Sequence, residues 1–341
     1  MKKKLGISVA VLSTMVIIFM AMAMSSSAET YSGACGDSLN WSLDTDTGFL
    51  DITGSGDMYN YSYHDTTAPW LAYSTYIKTI NFPTGLTKIG DVAFYGCSSL
   101  TSITIPDSVT IIGNWAFRDC RELTSITIPK NVTQIVEAVF SGCTNLSVIV
   151  VDENNLNYVS CDGVLFNKDK TILIEYPSGK NGVYTIPDGV INIGNWAFSD
   201  CTGLTSVMMP NSIISIGDYA FCYSAGLTSI TIPDSVTIIG DDAFFDCNIL
   251  TIYCFKNSIA HKYAENNMIN YSLLEKYTIG DVDNDGNITL ADAMKAFQYV
   301  SGKVTLTETS FSAADIDKNN KVKLNDVIKI FLFVAGKIEK L

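Results

Sequence analysis

An internal repeat of 23 residues constrains the fold of this chain more than any other feature of its sequence. The segment Leu100-Thr-Ser-Ile-Thr-Ile-Pro106 returns as Leu123-Thr-Ser-Ile-Thr-Ile-Pro129. Further units open at Leu146, Leu204, Leu227 and Leu250. A single unit cannot bury its own apolar residues, whereas stacked units share one continuous core. The repeat therefore predicts a β-dominated α/β solenoid of 23-residue units.

Each unit follows the pattern L-x-x-I-x-I-P-x-x-V-x-x-I-G-x-x-A-F-x-x-C, which the unit ending at Cys120 shows in full. The portion L-x-x-I-x-I is typical of a short strand that points its apolar side chains inward. Proline then ends the strand, because it has no N–H to donate to a ladder. We expect the glycine after isoleucine to allow a tight bend. The pattern thus predicts one stack of parallel strands.

Five of the nine cysteines occupy the last position of the repeat: Cys97, Cys120, Cys143, Cys201 and Cys247. Periodicity explains these five better than pairing does, because a small apolar side chain stacked inside a solenoid needs no oxidation. We therefore predict free, buried thiols at these positions. The other four, Cys35, Cys161, Cys222 and Cys254, lie outside this register, and the sequence does not decide whether they form disulfides.

The units resemble the BspA-like branch of leucine-rich repeats. The resemblance implies a β-rich N-terminal cap at residues 29–75, on the motifs around Cys35 and Trp70, followed by a solenoid over residues 76–275. Within it, Ser160–Asn167 and Tyr176–Gly179 look like the hairpin insertion of that family, placed at 152–182. Residues 251–275 look like its closing cap. Capping is required because an open solenoid end exposes core and strand edges.

The N-terminal residues 1–28 are predicted to be a secretory signal peptide. Three lysines precede an uncharged apolar run that ends in Ser26-Ser27-Ala28, a small-residue cleavage site. Because the run is long enough to span a bilayer, an uncleaved anchor is the alternative. Cleavage leaves 19 basic and 35 acidic side chains, a formal charge of −16. Such a chain repels phosphate backbones, so we expect no nucleic-acid partner. No second apolar stretch is long enough to span a bilayer, so we expect no membrane association after cleavage.

Two sets of solenoid residues are candidates for ligand contact. Outward strand positions carry hydroxyl groups, which stacked coils would align into a polar ladder for a polysaccharide or a protein; they are Ser102, Thr104, Ser125, Thr127, Ser229 and Thr231. The alternative is that threonine and its neighbours merely favour strands.

The second set is Trp115, Trp196 and Tyr219, which share one repeat position and could stack on sugar rings. Packing against a neighbouring coil is the alternative for these rings. Because Val92, Ala138 and Asp242 take the same position in other units, we expect no continuous aromatic stripe.

The sequence offers no catalytic constellation. The two histidines, His64 and His261, lack metal-ligand spacing and have no recognisable nucleophile. Carboxylates are abundant, but no acidic pair recurs in a setting that marks a cleft. We therefore expect no enzymatic activity.

Near the C-terminus, two segments follow the calcium-loop pattern of EF-hands. In Asp281–Asp292, oxygen donors fill loop positions 1, 3, 5 and 12, and Gly286 makes the turn. A second copy, Asp315–Asp326, begins 34 residues later. Each loop leads into a predicted helix, at 290–301 and 324–335. Calcium prefers six to eight oxygen ligands, so the pattern predicts two bound calcium ions in a small all-α module.

This duplicated loop-helix unit resembles a type I dockerin and covers residues 277–341. The resemblance implies docking to a cohesin module of a scaffoldin. It implies these calcium ligands: Asp281, Asp283, Asp285, Asn287, Asp292, Asp315, Asp317, Asn319, the carbonyl of Lys321, and Asp326. It also implies cohesin contacts at Leu290, Ala291, Lys295, Gln298, Leu324, Asn325 and Leu332. The second loop departs from the pattern at Asn320 and Lys323, so we expect its calcium site to be weaker.

Together these features predict a secreted, non-catalytic component of a cellulosome-like, polysaccharide-degrading complex, held at the cell surface through a scaffoldin. Its dockerin would supply location, and its solenoid would bind polysaccharide, a cell surface or a protein. One alternative is a dockerin-borne glycoside hydrolase. Another is a protein-binding regulator such as a protease inhibitor.

Overall fold

A computed structural model describes residues 30–274 and 278–341, so the expected signal peptide lies outside the described residues. The described residues divide into two compact units, the first ending at Thr251 and the second beginning at Ile252. Within the described residues, no helix is both long enough and apolar enough to traverse a membrane.

The first unit begins with an antiparallel meander. Strands β1 (Thr30–Ala34), β2 (Leu39–Asp44) and β3 (Phe49–Asp57) pair in sequence order. Strands β4 (Thr79–Asn81) and β5 (Gly85–Ile89) then run parallel to β3, after a 3₁₀ helix at Leu71–Tyr76. Trp70 is buried beneath this sheet and donates its indole N–H to the carbonyl oxygen of Ala93 at 2.7 Å. The meander therefore closes over the first repeat unit.

The repeats stack as coils whose strands pair in parallel, as predicted. The L-x-x-I-x-I segments form β7 (Ser125–Ile128), β9 (Val148–Val151), β13 (Gly182–Thr185), β15 (Leu204–Met208) and β17 (Ser229–Thr231). Pairing is parallel for β7 with β9, and for β13 with β15 and β15 with β17. Residues 101–106 belong to no strand, although their sequence matches that of β7.

A second parallel ladder arises from the isoleucine that precedes the repeat glycine, and the sequence pattern did not predict it. Its two-residue strands are β6 (Ile111–Ile112), β8 (Gln134–Ile135), β14 (Asn192–Ile193), β16 (Ser215–Ile216) and β18 (Ile238–Ile239). β5, β6 and β8 pair in parallel, as do β14, β16 and β18. Coils that form both kinds of strand, such as the one with β15 and β16, thus contribute backbone hydrogen bonds to two ladders.

The repeat glycines do not serve the purpose expected from the sequence. Gly113, Gly217 and Gly240 do not adopt the left-handed φ of a tight glycine turn. Instead, an aspartate or asparagine of the preceding coil lies against each of them. A Cβ on Gly217 would sit 2.5 Å from Oδ1 of Asn195 and 2.6 Å from its backbone nitrogen. Glycine is therefore required by a side chain that comes from the preceding coil in the stack.

Those acidic and amide side chains form a relay along the solenoid. Oδ1 of Asn195 accepts the backbone N–H of Asp218 at 3.0 Å, and Oδ1 of Asp218 accepts that of Asp241 at 2.9 Å. Asp91 accepts the N–H of Asn114 at 2.9 Å in the same way. These three side chains each satisfy a backbone donor that the turn of the following coil leaves without a backbone partner.

The solenoid interior contains stacked phenylalanines with the cysteine column beside them. Phe198, Phe221 and Phe244 stack with ring centroids 4.7 and 5.0 Å apart and planes 7° from parallel. All five repeat cysteines are buried, as predicted. The thiols of Cys120, Cys143 and Cys247 each donate to a phenylalanine carbonyl oxygen 26 residues earlier.

An insertion separates the two halves of the solenoid. β10 (Tyr158–Cys161), β11 (Val164–Asn167) and β12 (Ile172–Glu175) are antiparallel, and β12 then pairs in parallel with β14. Side chains link the insertion to the preceding coil. Buried Asn155 donates to the carbonyl oxygens of Pro129 and Val132, and the hydroxyl of Tyr158 accepts the N–H of Ile135 at 2.9 Å.

The second unit contains the end of β19 (Thr251–Phe255), helix α1 (Ile259–Asn266) and β20 (Asn270–Leu274), followed by three helices. These are α2 (Leu290–Val300), α3 (Glu308–Ala314) and α4 (Leu324–Val334). The loop-helix pattern predicted α2 and α4 but not α3, a two-turn helix capped by the Thr307 hydroxyl. Val282, Ala296, Val327 and Ile330 belong to the buried core of the three helices.

Candidate functional site

The first acidic loop brings three carboxylates to one point. Asp281, Asp283 and Asp285 place carboxylate oxygens within 4.8 Å of one another. Backbone N–H groups shape the loop, because Asp281 accepts those of Asp285 at 3.1 Å and Gly286 at 2.9 Å. Gly286 has a φ of 90°, the left-handed conformation expected at the sixth loop position.

Asp292 connects this loop to helix α2. It is fully buried at the third position of the helix, where its carboxylate accepts the N–H of Asp283 at 3.0 Å and that of Thr289 at 2.7 Å. The Thr289 hydroxyl in turn accepts the N–H of Ala291 at 3.2 Å. The last predicted ligand of the loop therefore also caps the helix that follows it.

The second loop repeats this arrangement with a different set of acids. Asp315, Asp317 and Asp326 place carboxylate oxygens within 4.8 Å of one another. Asp315 accepts the N–H groups of Asn319 at 3.2 Å and Asn320 at 2.7 Å. Asn320 has a φ of 64°, so asparagine adopts the left-handed turn that glycine makes in the first loop.

The donor set of both loops fits a hard divalent cation. Asp281, Asp292, Asp315 and Asp326 are each at most 6% exposed. Among the described residues, no lysine, arginine or histidine forms an ion pair with any of them. Burial raises the pKa of Asp283, and the nearby carboxylates of Asp292 and Asp285 raise it further. Buried anions without a counter-charge are costly, and a calcium ion among these oxygens would compensate them.

The remaining predicted ligands are exposed residues of the same loops: Asn287, Asn319 and Lys321. Bound calcium would contribute folding energy to the module, because it would bind the folded loops and not the unfolded chain.

Helices α2 and α4 together form an apolar groove of about 480 Å³. Its exposed lining includes Leu290, Met294, Phe297, Ile328 and Phe331, each between 45% and 56% exposed. Met294 and Ile328 are 34 residues apart, as are Phe297 and Phe331, which is the spacing of the two loops. The groove is therefore built from equivalent positions of the duplicated unit.

The predicted cohesin contacts fall partly on this groove. Leu290 and Gln298 line it, whereas Ala291, Leu324 and Asn325 are exposed positions at the starts of the two helices. Leu332 is half-buried, and the Lys295 ammonium donates to the carbonyl oxygen of Val282 at 3.0 Å. Sequence reasoning did not single out Met294 and Ile328, which the 34-residue spacing could have identified as an exposed apolar pair.

The predicted hydroxyl ladder of the solenoid is interrupted by apolar residues. Ser102, Thr104, Ser125, Thr127 and Thr231 are exposed, and Ser229 is half-buried. However, Thr127 pairs with Val150, Thr185 pairs with Met208, and Val183 pairs with Ser206. Val150, Val183 and Met208 are 43%, 63% and 53% exposed. The strand face is therefore mixed, because the coils beside the insertion replace hydroxyl residues with apolar ones.

The three candidate aromatic residues contact one another in a short row, which ends where Val92 and Asp242 take the same repeat position. Trp196 stacks on Tyr219 at 4.4 Å and meets Trp115 edge-on at 6.3 Å. Ala138 takes the same position in the coil between the tryptophans, and its small side chain lets the rings meet. The Arg118 guanidinium lies over both tryptophans, at 4.8 and 5.3 Å. The ring faces are thus largely occupied by packing between coils.

Each histidine contacts neighbours in its own segment of the chain. In α1, Nδ1 of His261 accepts the N–H of Asn257 at 3.2 Å, and its Nε2 lies 3.5 Å from Glu265. His64 is exposed beside Tyr63. One buried acid was missed altogether: Glu175 is 5% exposed and precedes Tyr176, which stacks on Phe198. Glu175 therefore stands where other coils have alanine or valine.

Comparison with known families gives two matches. The BspA type leucine-rich repeat region matches in six copies over residues 71–178 and 176–288. The dockerin type I domain matches residues 279–330. Both are non-catalytic domain types, and both are typical of extracellular or cell-surface proteins. No curated protein matches the chain.

Several solved bacterial structures are similar. A leucine-rich repeat protein from Eubacterium ventriosum is 28% identical with a TM-score of 0.47, over 67% of this chain and 73% of that one. The pneumococcal vaccine antigen PcpA is 22% identical with a TM-score of 0.39, over 59% and 68%. A leucine-rich cell surface protein from Faecalibacterium prausnitzii is 24% identical with a TM-score of 0.34, over 74% and 96%. The repeat matches span well over half of the chain, which therefore belongs to the BspA-type leucine-rich repeat family and carries a type I dockerin domain at its C-terminus.

Proposed function

We propose that this chain is a secreted, non-catalytic component of a cellulosome-like complex, attached to a scaffoldin by calcium-dependent binding of its dockerin to a cohesin. The observation that carries the proposal is the pair of carboxylate clusters 34 residues apart, each leading into a helix that lines one apolar groove. A mature chain of residues 29–341 would comprise the N-terminal cap (29–75), the solenoid (76–275) and the dockerin (277–341).

Calcium would have a structural role in this proposal. The ligands would be the residues named above for each loop, with Asp292 and Asp326 also holding the first turns of α2 and α4. Without calcium, repulsion among the clustered carboxylates would destabilise the folded conformation of both loops. The orientation of α2 against α4, and hence the groove, would therefore depend on the metal.

The groove supports protein docking by its composition. Exposed Phe297 and Phe331 bury large apolar areas on contact, and such residues dominate the affinity of protein interfaces. The residues at the two helix starts differ, being Leu290-Ala291 and Leu324-Asn325. We therefore expect the cohesin to bind in one preferred orientation. Because neither helix start carries a Ser-Thr pair, we also expect its cohesin to differ in class from those that recognise such a pair.

The solenoid would recognise the second partner, either a polysaccharide, a cell surface or a protein. Its strand face mixes hydroxyl groups with Val150, Val183 and Met208, a composition that also suits a protein partner. A protein-binding regulator is therefore the second candidate function. A dockerin-borne glycoside hydrolase is the third, and a reducing-sugar assay on plant polysaccharides tests it.

Hydrogen exchange on the full chain, followed by cohesin capture, tests the docking function. With calcium, the amides of α2 and α4 should be protected; with a chelator they should exchange rapidly, while the solenoid strands stay protected. Phe297→Ala and Phe331→Ala should each weaken capture by cohesins at least tenfold. Phe245→Ala, a solenoid residue 50% exposed, is the matched control. Protection of both helices without calcium, or unimpaired capture by both variants, would overturn the proposal.

A further inference from the structure

The first unit contains an open cavity of about 560 Å³ where the loop at residues 61–64 meets the first two coils. We call it the Tyr63 cleft; the residues used here are Tyr63, His64, Asp91, Tyr95, Asn114 and Trp115. None of them belongs to the dockerin, and Trp115 was already a candidate contact on sequence grounds.

One wall of the cleft is aromatic. Tyr63 is 49% exposed and meets Tyr95 at 5.2 Å and His64 at 5.0 Å, both at steep interplanar angles. Trp115 is half-buried and continues this wall into the row formed with Trp196. Exposed aromatic rings offer flat apolar surfaces beside polar edges, which suits the C–H faces and hydroxyl rims of sugar rings.

Polar groups with free hydrogen-bonding capacity border these rings. The backbone N–H of Asn114 bonds to Oδ1 of Asp91, whereas the Asn114 side-chain amide bonds to no described residue. Oδ2 of Asp91 likewise retains acceptor capacity, so a donor-acceptor pair and a carboxylate lie beside the aromatic wall. Paired hydroxyl groups of a sugar match such a combination, since each both donates and accepts.

Charge favours a neutral ligand over an acidic one. Arg118 is the cation of the cleft, but its side chain is only 16% exposed, its guanidinium lies over Trp115 and Trp196, and its Nε is 3.9 Å from Asp119. Asp91 adds negative charge at the cleft itself, and the chain as a whole is strongly acidic. A uronic acid would therefore meet repulsion without a free counter-charge.

We propose that the Tyr63 cleft binds a neutral oligosaccharide, stacked on Tyr63, bordered by the edge of Trp115 and hydrogen-bonded by Asn114 and Asp91. This inference rests on the part of the proposed function that assigns ligand recognition to the solenoid, and it deepens that part by naming a site and a ligand class. The cleft lies at the capped end of the first unit, so sugar binding there does not require the strand face.

The test uses the full chain with calcium and an array of neutral and acidic plant cell-wall oligosaccharides, followed by titration calorimetry on the neutral binders. We expect binding of neutral sugars, accompanied by a change in tryptophan fluorescence. Tyr63→Ala and Asn114→Ala should each weaken the affinity at least tenfold. Tyr76→Ala is the matched control, because this tyrosine of the same unit is 58% exposed and lies outside the cleft.

Three outcomes would overturn the inference: no sugar binds, only acidic sugars bind, or both cleft variants bind as well as the original chain. Cohesin capture, measured on the same preparation, distinguishes a failure of the sugar-binding proposal from a failure of the docking proposal. Intact capture without sugar binding counts against the cleft alone, whereas sugar binding without capture counts against docking alone.

Discussion

The hydroxyl of Ser224 donates a 2.6 Å hydrogen bond to the carbonyl oxygen of Phe198, at the position where other coils use a cysteine thiol. Ser224 also accepts the backbone N–H of Cys201 at 3.1 Å and is fully buried. Serine thus replaces cysteine with the same geometry, 26 residues after its acceptor. The cysteine column therefore requires a small side chain that donates a hydrogen bond, and it does not require sulfur.

Ser224→Ala should therefore destabilise the solenoid more than Ser224→Cys. Alanine leaves a buried N–H and a buried carbonyl without partners, which costs about 3 kcal/mol in the free energy of unfolding. Cysteine restores a donor and should cost less than about 1 kcal/mol. Urea unfolding followed by tryptophan fluorescence reports on the solenoid, because all four tryptophans lie before residue 197. Equal losses for the two variants would contradict this account of the column.

Thiol labelling should separate the cysteines by burial. Cys161 is the one cysteine that is not buried, whereas burial raises the pKa of the Cys222 and Cys247 thiols to about 12. A raised thiol pKa leaves little thiolate to react at neutral pH. We expect the native chain to label rapidly at no more than one site and the denatured, unreduced chain to label at five or more. Fewer than five free thiols after denaturation would show that repeat cysteines are oxidised.

Gly217→Ala should destabilise the solenoid by about 3 kcal/mol, because its Cβ would overlap Asn195 and force the two coils apart. Gly189→Ala provides the control. Gly189 has a φ of 91° with open space around it, so alanine there meets only backbone strain of about 1 to 2 kcal/mol. The same urea titration measures both variants. If Gly189→Ala proved the more damaging, the contact with Asn195 would not be what requires glycine at residue 217.

Glu175→Gln should stabilise the solenoid at pH 8. Burial raises the pKa of Glu175 well above its ordinary value, and the Asp200 carboxylate raises it further. The folded chain therefore holds this proton at pH values where the unfolded chain has lost it, so stability falls as pH rises from the unfolded value through the folded one. The urea midpoint of unfolding should differ less between pH 5 and pH 8 in the glutamine variant than in the original chain. Exposed Glu153→Gln should leave the pH dependence unchanged.

The two calcium sites should be unequal. The first loop has acids at positions 1, 3, 5 and 12, whereas the second has Asn319 at position 5 and carries Lys321 and Lys323. Ligand charge tunes calcium affinity over orders of magnitude in such loops. By calorimetry, Asp283→Ala should abolish the tighter binding event and Asp317→Ala the weaker one. Two identical events in the original chain would refute the inequality.

The 23-residue period was sufficient to predict the parallel stack and the buried cysteine positions, because both depend on residues that recur within each unit. The carboxylate clusters were likewise predictable from the spacing of Asp281, Asp283 and Asp285. The reason for glycine at residue 217 was not predictable, because Asn195 of a neighbouring coil occupies the space that a larger side chain would need. Glu175 escaped notice because the insertion hides its alignment with the buried alanine of other units.

The docking groove shows a similar limit. Helical periodicity places Phe297 and Phe331 on α2 and α4, but it does not say which apolar residues fill the small core and which remain exposed. That division depends on α3, whose Ala313 and Ala314 are buried while Phe311 packs on the core. Because α3 has no loop-helix signature, the exposed set emerged only from the folded arrangement.

The pairing of Asn195 with Gly217, and of Asp218 with Gly240, also bears on how a chain of this kind changes length during evolution. At these junctions one coil presents a side chain that only a glycine in the next coil can receive, so the two junctions are interchangeable. Duplication or loss of a whole unit leaves all junctions matched, whereas a partial duplication places a bulky residue against the relay. Gene lineages that carry such solenoids are therefore expected to differ by integral numbers of units, with other insertions confined to junctions such as that of Leu173 with Gly194, where the glycine receives no side chain from the preceding coil.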